Sequence, residues 1–460
     1  MHRIFYFITT LSLFSELVSS HSSFPNRIHE STKEWGQLER LEETERGLTG
    51  LGFSVASSYD GKIIACGSPY KNDNRGEVTV YKYNTEKSKW TKRGFEIPGN
   101  DHNQFFGHDV ALSRDGELLV VSAPKAKNEM GQVSVFVYDA EDNDWFPIGG
   151  LMRGTLQGEK HGSSIAVDEK GQFIAVGSPG RPTQVEKAGT VRVYEYNSEV
   201  DEWVQLGPEI SGQDINDEFG YSVDILTHEG DIYVGVGAPD EEDTRGTASV
   251  YKFNPDQQEW KLVGNRFVDG DVRSTELGRS VSLGHDGTYL LLAVGFPGPG
   301  IDATSKIKSG VEVYRINEEG EWWYYGQLIY PFEQNDGTGY KVSLSKDGQT
   351  LAISSPDYDG GTGMVSVYEY HKDKGEEDRG LYEQIGSAII GEKNSEFGFS
   401  LALSRDGTTV TAGSPDKLYV NSFIQPHEHK VCTLSFLNFY LSSRCCFLIL
   451  TRFEFVLVTI

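Results

Sequence analysis

The chain has 460 residues, with 42 Lys and Arg against 68 Asp and Glu, so its net charge is −26. That balance argues against a general nucleic-acid binder or a protein drawn to anionic membranes. Fifty-two glycines and an aromatic content of 12% suit many turns and packed strands rather than disorder.

Residues 1–20 read as a secretory signal peptide. Arg3 supplies the positive start, Ile4 to Leu17 is mostly apolar despite Glu16, and Val18-Ser19-Ser20 offers small residues for cleavage before His21. The apolar run is short for a membrane helix. Residues 21–34 follow as a linker, and a secreted, extracellular location is expected. No Asn-x-Ser/Thr acceptor occurs, so glycosylation adds nothing to that expectation.

From residue 35 to 423 the chain repeats. A strand-like run, Asp-Gly or a variant, a second apolar run and then a small residue with proline recur seven times. The closing prolines are Pro69, Pro124, Pro179, Pro239, Pro297, Pro356 and Pro415, spaced 55 to 60 residues apart. Such a period marks stacked or radial units, each of which buries its faces only against its neighbours.

In the second copy, Val110 to Ser113 and Leu118 to Ser122 flank Asp115-Gly116, which predicts a tight hairpin. Leu118-Leu119-Val120-Val121 is apolar throughout, so both faces of that strand are expected to be covered. Pro124 ends it, having no N–H for the ladder. Gly131 to Tyr138 alternates with period two, predicting a third strand further out, and Trp145 opens a fourth ending near Gly149. The same order recurs with Tyr81 and Trp90, Tyr194 and Trp203, Tyr251 and Trp260, Tyr314 and Trp323, and Tyr368 with Tyr382 in the tryptophan's place. These aromatics are expected to pack between sheets rather than to form a carbohydrate platform.

The fold class expected is all-β: a seven-bladed β-propeller of four-stranded antiparallel blades. The seventh copy lacks the last strand, while an orphan Trp35-Gly36-Gln37-Leu38 matches Trp203-Val204-Gln205-Leu206. An N-terminal strand completing the last blade would close the ring and remove the sheet edge. The third strand there is expected at Leu418-Tyr419-Val420.

Cys66, Cys432, Cys445 and Cys446 are too sparse for a disulfide scaffold. Cys66, placed where other copies have Ser122 or Val176, is expected to be a small buried hydrophobe.

Phe219-Gly220-Tyr221-Ser222-Val223 with Val236-Gly237-Ala238-Pro239, and Phe397-Gly398-Phe399-Ser400-Leu401 with Ala412-Gly413-Ser414-Pro415, resemble the FG-GAP repeat of the integrin α-subunit N-terminal β-propeller. Looser copies begin Leu51-Gly52, His161-Gly162, Leu277-Gly278 and Thr338-Gly339. The resemblance implies a recognition or adhesion-type module without enzymatic activity. Some blades of that family hold calcium in an Asp-x-Asp/Asn-x-Asp-Gly loop. Here only its end survives, as Ser113-Arg114-Asp115-Gly116-Glu117, Ser345-Lys346-Asp347-Gly348 and Ser404-Arg405-Asp406-Gly407. A calcium ion needs six to eight oxygens, so no cofactor is carried over and the Asp-Gly pairs are expected to be turns. Kelch repeats share the Tyr and Trp order but need a paired glycine that is not regular here.

Candidate ligand-binding residues are Asp240, Glu241, Glu242 and Asp243, with Asp357 and Asp359 in the same loop two copies later. Carboxylates at one rim suit a divalent cation or a basic partner, or simply a solvated loop. Asp139 to Asp144 is expected to be only a turn. No Ser, Cys or Thr stands beside a plausible base, so no catalytic residue is assigned; His161, His228 and His285 read as substitutions in or near hairpin turns. An enzyme gathering one side chain per blade at the axis would leave no local motif, and it is the alternative to the binding module. Residues 424–460 change character, with an apolar Val431 to Leu441 interrupted further on by Arg444, Arg452 and Glu454; this tail is expected to lie outside the fold and to give no membrane anchor. The partner expected is an extracellular protein or glycan, with no nucleic acid.

Overall fold

The computed structural model describes residues 35–38, 40–42, 49–181, 188–213, 217–240, 246–268, 276–298, 309–316, 320–375, 379–415 and 419–424. The proposed signal peptide, the linker, residues 241–243 and the tail beyond 424 lie outside them.

The protein is an all-β propeller of antiparallel four-stranded blades. In the second copy the strands are Val110–Leu112, Leu118–Ala123, Gln132–Asp139 and Asp144–Arg153, hydrogen-bonded in chain order. The apolar second strand is buried along almost its whole length, as its lack of alternation requires. The fourth strand runs beyond Gly149 to Arg153, because an irregularity near Val133 and Val135 resumes the ladder after two glycines.

Six sheets are complete blades made of consecutive strands, and a seventh is composite. In the composite sheet Ser400–Leu403, Thr409–Ser414 and Tyr419–Ile424 are joined by Gly36–Gln37 and Leu41–Glu42, both antiparallel to Tyr419–Ile424. The expected third strand at 418–420 thus extends to Ile424, one residue past the expected boundary at 423. The innermost strands pack side by side in the order Ser54–Ser57, Val110–Leu112, Ser164–Val167, Ser222–His228, Ser280–His285, Val342–Leu344 and Ser400–Leu403, which returns to Ser54–Ser57.

The core lies between neighbouring sheets. Ala65, Val78 and Val80 of the first meet Leu119, Val121 and Trp145 of the second, and the seam has its own cluster of Leu51, Val55, Ile64, Cys66 and Trp90, with Leu38 and Leu41 against it. In four sheets an outer tryptophan fastens the sheet to the one before. Trp145 donates its indole N–H to the Arg93 carbonyl at 2.8 Å, Trp260 to Leu206 at 3.1 Å, and Trp35 to Ile385 at 2.9 Å. Trp35 therefore does for the composite sheet what the internal tryptophans do elsewhere. In the fifth sheet this residue is Trp322, which donates to Val263 at 3.0 Å. The expected Trp323 is instead 52% exposed, because the neighbouring residue of a strand faces the other way.

Close to the axis, serines stitch blade to blade. Ser54 donates to the Gly107 carbonyl, Ser164 to Gly220, Ser222 to Gly278 and Ser400 to Gly52, at 2.6–2.9 Å. The glycine carbonyls come so close that a Cβ on Gly413 would collide with the oxygen of Gly52, which is why glycine precedes the Ser-Pro end of that copy. Cys66 is fully buried and pairs with Val55, so its equivalents are Val121 and Val176, not Ser122.

Candidate functional site

The inner strands surround an axial cavity of about 520 Å3, within the range of ligand pockets. At one end it reaches Pro124, Lys125 and Pro179, where second strands leave the axis. This mouth is framed by the residue after each Phe-Gly-type glycine: Phe53, His108, Ser163, Tyr221, Arg279, Tyr340 and Phe399. Phe53 packs against His108 at 5.2 Å and Phe399 at 5.1 Å between ring centroids, and Phe399 packs against Tyr340 at 5.5 Å. The Arg279 guanidinium lies 4.8 Å from the ring centroids of both Tyr221 and Tyr340 and pairs with Glu276 at 3.2 Å. Cation–π contact thus continues the aromatic collar, and Ser163 is its small member.

One residue deeper stands a second ring: Ser54, Asp109, Ser164, Ser222, Ser280, Lys341 and Ser400. Five copies keep serine; the second and sixth place Asp109 and Lys341. Their backbones differ in step. The Asp109 and Lys341 N–H groups donate to the hydroxyls of Ser122 and Ser354, residues that replace the glycine of the Gly-x-Pro motif. Asp109 also accepts the N–H groups of Val110 and Ile165. Even so, burial raises its carboxyl to about 6, against the opposing charge of Lys341. Burial lowers the Lys341 ammonium, with Asp109 opposing the shift. His108 is lowered to about 4 by burial and by the charges of Lys341, Lys125 and Lys160.

At the opposite end, the residues before each turn Asp or its equivalent cross the axis. Glu169 takes Lys346 at 2.6 Å and Arg114 at 3.4 Å, and Arg405 bonds Asp224 at 3.1 Å and the Leu283 carbonyl at 3.0 Å. Backbone bonds join the turns as well: Tyr59 N–H to Arg114 O, Arg114 N–H to Glu169 O, His285 N–H to Lys346 O, Lys346 N–H to Arg405 O and Asp406 N–H to Tyr59 O. His228 and His285 stack at 3.6 Å. The basic residue before the turn Asp, as Arg114, Lys346 and Arg405, therefore braces the axis.

The turn carboxylates are engaged locally. Asp115 accepts the Ser113 hydroxyl at 2.6 Å and the Glu117 N–H at 3.0 Å, and Asp347 and Asp406 repeat the pattern. One carboxylate bound in this way does not fit the calcium loop of the resembled family. Among the described residues no group of three or more His, Cys, Asp or Glu is placed to hold a metal ion.

Asp240, Asp357 and Asp359 are exposed in loops at the collar end of the propeller. The Asp240 charge raises Glu218, a residue of the cavity lining, after burial. Asp357 is itself raised by burial and by Asp336, with Arg279 opposing. Asp359 accepts the Thr362 hydroxyl at 3.2 Å, inside a loop whose Asp359 and Gly360 have left-handed backbone. His161 is not a turn residue. It takes the buried Phe position, with Nδ1 on the Ser178 hydroxyl at 2.8 Å and Nε2 3.2 Å from the Tyr194 hydroxyl. Sequence reading missed the axial rings. Their signal was present as departures from a repeated serine, at Asp109 and Lys341.

No family model matches the chain, and no curated protein matches it. Among solved structures it is similar to the Kuenenia stuttgartiensis hydrazine synthase, at 15% identity, with 83% of this chain and 98% of that chain covered and a TM-score of 0.52. At that identity the likeness speaks to the propeller fold alone.

Proposed function

We propose that the seven sheets are the blades of one closed, FG-GAP-like propeller that is secreted and acts as a non-enzymatic recognition module. Its collar end, with the loops around Asp240 and Asp357, contacts an extracellular protein or glycan. The observation that supports this reading is the asymmetry of the axis: the cavity reaches the collar and its loops at one end, while the Glu169–Lys346 and Arg405–Asp224 pairs cross the other. Aromatic rings held by packing supply contact area at low entropic cost, as recognition surfaces need.

The reading is tested by binding of the labelled chain to extracellular matrix and to intact cells. The variant Asp240→Lys with Asp357→Lys should lose binding about tenfold while its thermal midpoint is kept. Unchanged retention by this variant would discard the collar-end loops as the contact surface. A second reading, an enzyme with dispersed axial residues, is favoured by the convergence of His108, Asp109 and Lys341 on one cavity.

A further inference from the structure

We propose that the axial cavity is a binding site for a small organic carboxylate, with its charged group on Lys341 and His108 and its body against the collar. This deepens the recognition reading and rests on it.

The second ring carries the inference. Where the repeat supplies serine, the hydroxyl is consumed in stitching one blade to the next, so a charge there must be retained against the fold's own preference. Asp109 has an evident structural use, since its carboxylate accepts two backbone N–H groups. Lys341 has none. Its side chain is half-buried on the cavity lining, where the Asp109 charge acts on it, yet no hydrogen bond or ion pair within the described residues holds its ammonium. An ammonium partly desolvated in a cavity and not hydrogen-bonded to protein gains a charge-assisted bond from a bound anion. The Nδ1 atom of His108 is buried without a partner, and His108 lies on the same lining. Lys125 and Lys160 act on His108 together with Lys341, giving a local positive field on a chain whose net charge is −26.

The shape and remaining charges narrow the ligand. Asp109 shares the ring with Lys341 and limits the negative charge the cavity accepts, which favours a single carboxylate over a phosphate dianion. Above it, Phe53, Tyr340 and Phe399 offer ring faces to an apolar or sugar-like body. The carboxylate could belong to a free acid or to the terminal sugar of an acidic glycan, and the two share this chemistry.

Titration calorimetry of the full chain with benzoate, benzamide, glucuronate and glucose separates the cases. At least one carboxylate should bind ten or more times tighter than its neutral counterpart, benzoate marking a free-acid site and glucuronate a sugar site. Lys341→Met, which keeps the stem and removes the charge, should weaken that binding at least tenfold, and Asp109→Asn should tighten it. Equal affinity for charged and neutral probes, no binding of either acid at millimolar concentration, or an unchanged affinity in Lys341→Met would overturn the proposal. If Lys341→Met does not fold, the direction of the Asp109→Asn effect decides. Lost carboxylate binding with matrix binding intact rejects this inference alone, whereas the loop variant in the cell assay tests the recognition reading separately.

Discussion

His161 shows how much one residue of a repeat can depart from its copies. It stands where the second and fourth copies bury Phe106 and Phe219, and beside it Glu159 is buried between Arg181 and Arg192, at 2.9 and 2.8 Å. Burial, reinforced by the Arg192 and Arg181 charges, lowers His161 to about 3. The unfolded chain takes up a proton below about pH 6.5 and the folded one does not, so stability is full above that value and falls as pH drops towards about 3. Between about pH 7.5 and 5 this one histidine should remove about 2 kcal/mol. His161→Phe, which restores the usual residue, should flatten the dependence by that amount in chemical denaturation at the two pH values. An unaltered slope would show that His161 is protonated in the folded protein. The sequence showed His161 as a substitution, but not that it is buried, because the Phe position and the neighbouring turn look alike until the sheets are packed.

At the scale of the element, the informative case is the seam. The two short strands Gly36–Gln37 and Leu41–Glu42 have few hydrogen bonds of their own, and Trp35 anchors them through Ile385. It packs against the buried cluster that includes Ile385 and Phe397. Trp35→Phe keeps most of the ring but leaves the carbonyl unpaired, for an expected cost of about 1–2 kcal/mol. Trp35→Ala should cost more, about 3 kcal/mol, by opening a cavity; equilibrium urea unfolding measures both. A Trp35→Ala variant as stable as the parent would remove the tryptophan from the closure. The orphan Trp-Gly-Gln-Leu motif made this element legible, because its match to Trp203 to Leu206 carried both a side chain and a strand. The choice between Trp322 and Trp323 was not legible, since two adjacent tryptophans differ only in which face of the strand they occupy, and register decides that.

For the whole molecule, the ring of inter-sheet cores means that no blade is self-sufficient and unfolding should be cooperative. A chain beginning at residue 35 should keep its thermal midpoint. One beginning at residue 49 leaves the edge of Tyr419–Ile424 unpaired, exposing main-chain groups that invite self-association. Its midpoint should fall by roughly 6 °C, with concentration-dependent scattering, corresponding to a loss on the order of 5 kcal/mol. Calorimetry and light scattering on the two chains check this, and equal midpoints would show that the N-terminal strands are dispensable. The brace of Arg114, Glu169, Lys346 and Arg405 also belongs to this scale, since Glu169 and Lys346 are 177 residues apart.

The sequence by itself determined the repeat, the hairpins, the doubly covered second strands and the class of fold. Each follows from local chemistry: apolar runs, turn residues, and a proline that ends a ladder. Tertiary structure alone decided which side chains share the axis. His108 and Asp109 stand just before the strand Val110–Leu112 and Lys341 just before Val342–Leu344, far apart in the chain, and only the side-by-side packing of the inner strands brings them to one cavity. The same packing places the basic residues of Ser-x-Asp-Gly, plain turn residues in the sequence, in ion pairs across the channel, because a residue's partners there are set by its place around the axis and not by its neighbours in the chain.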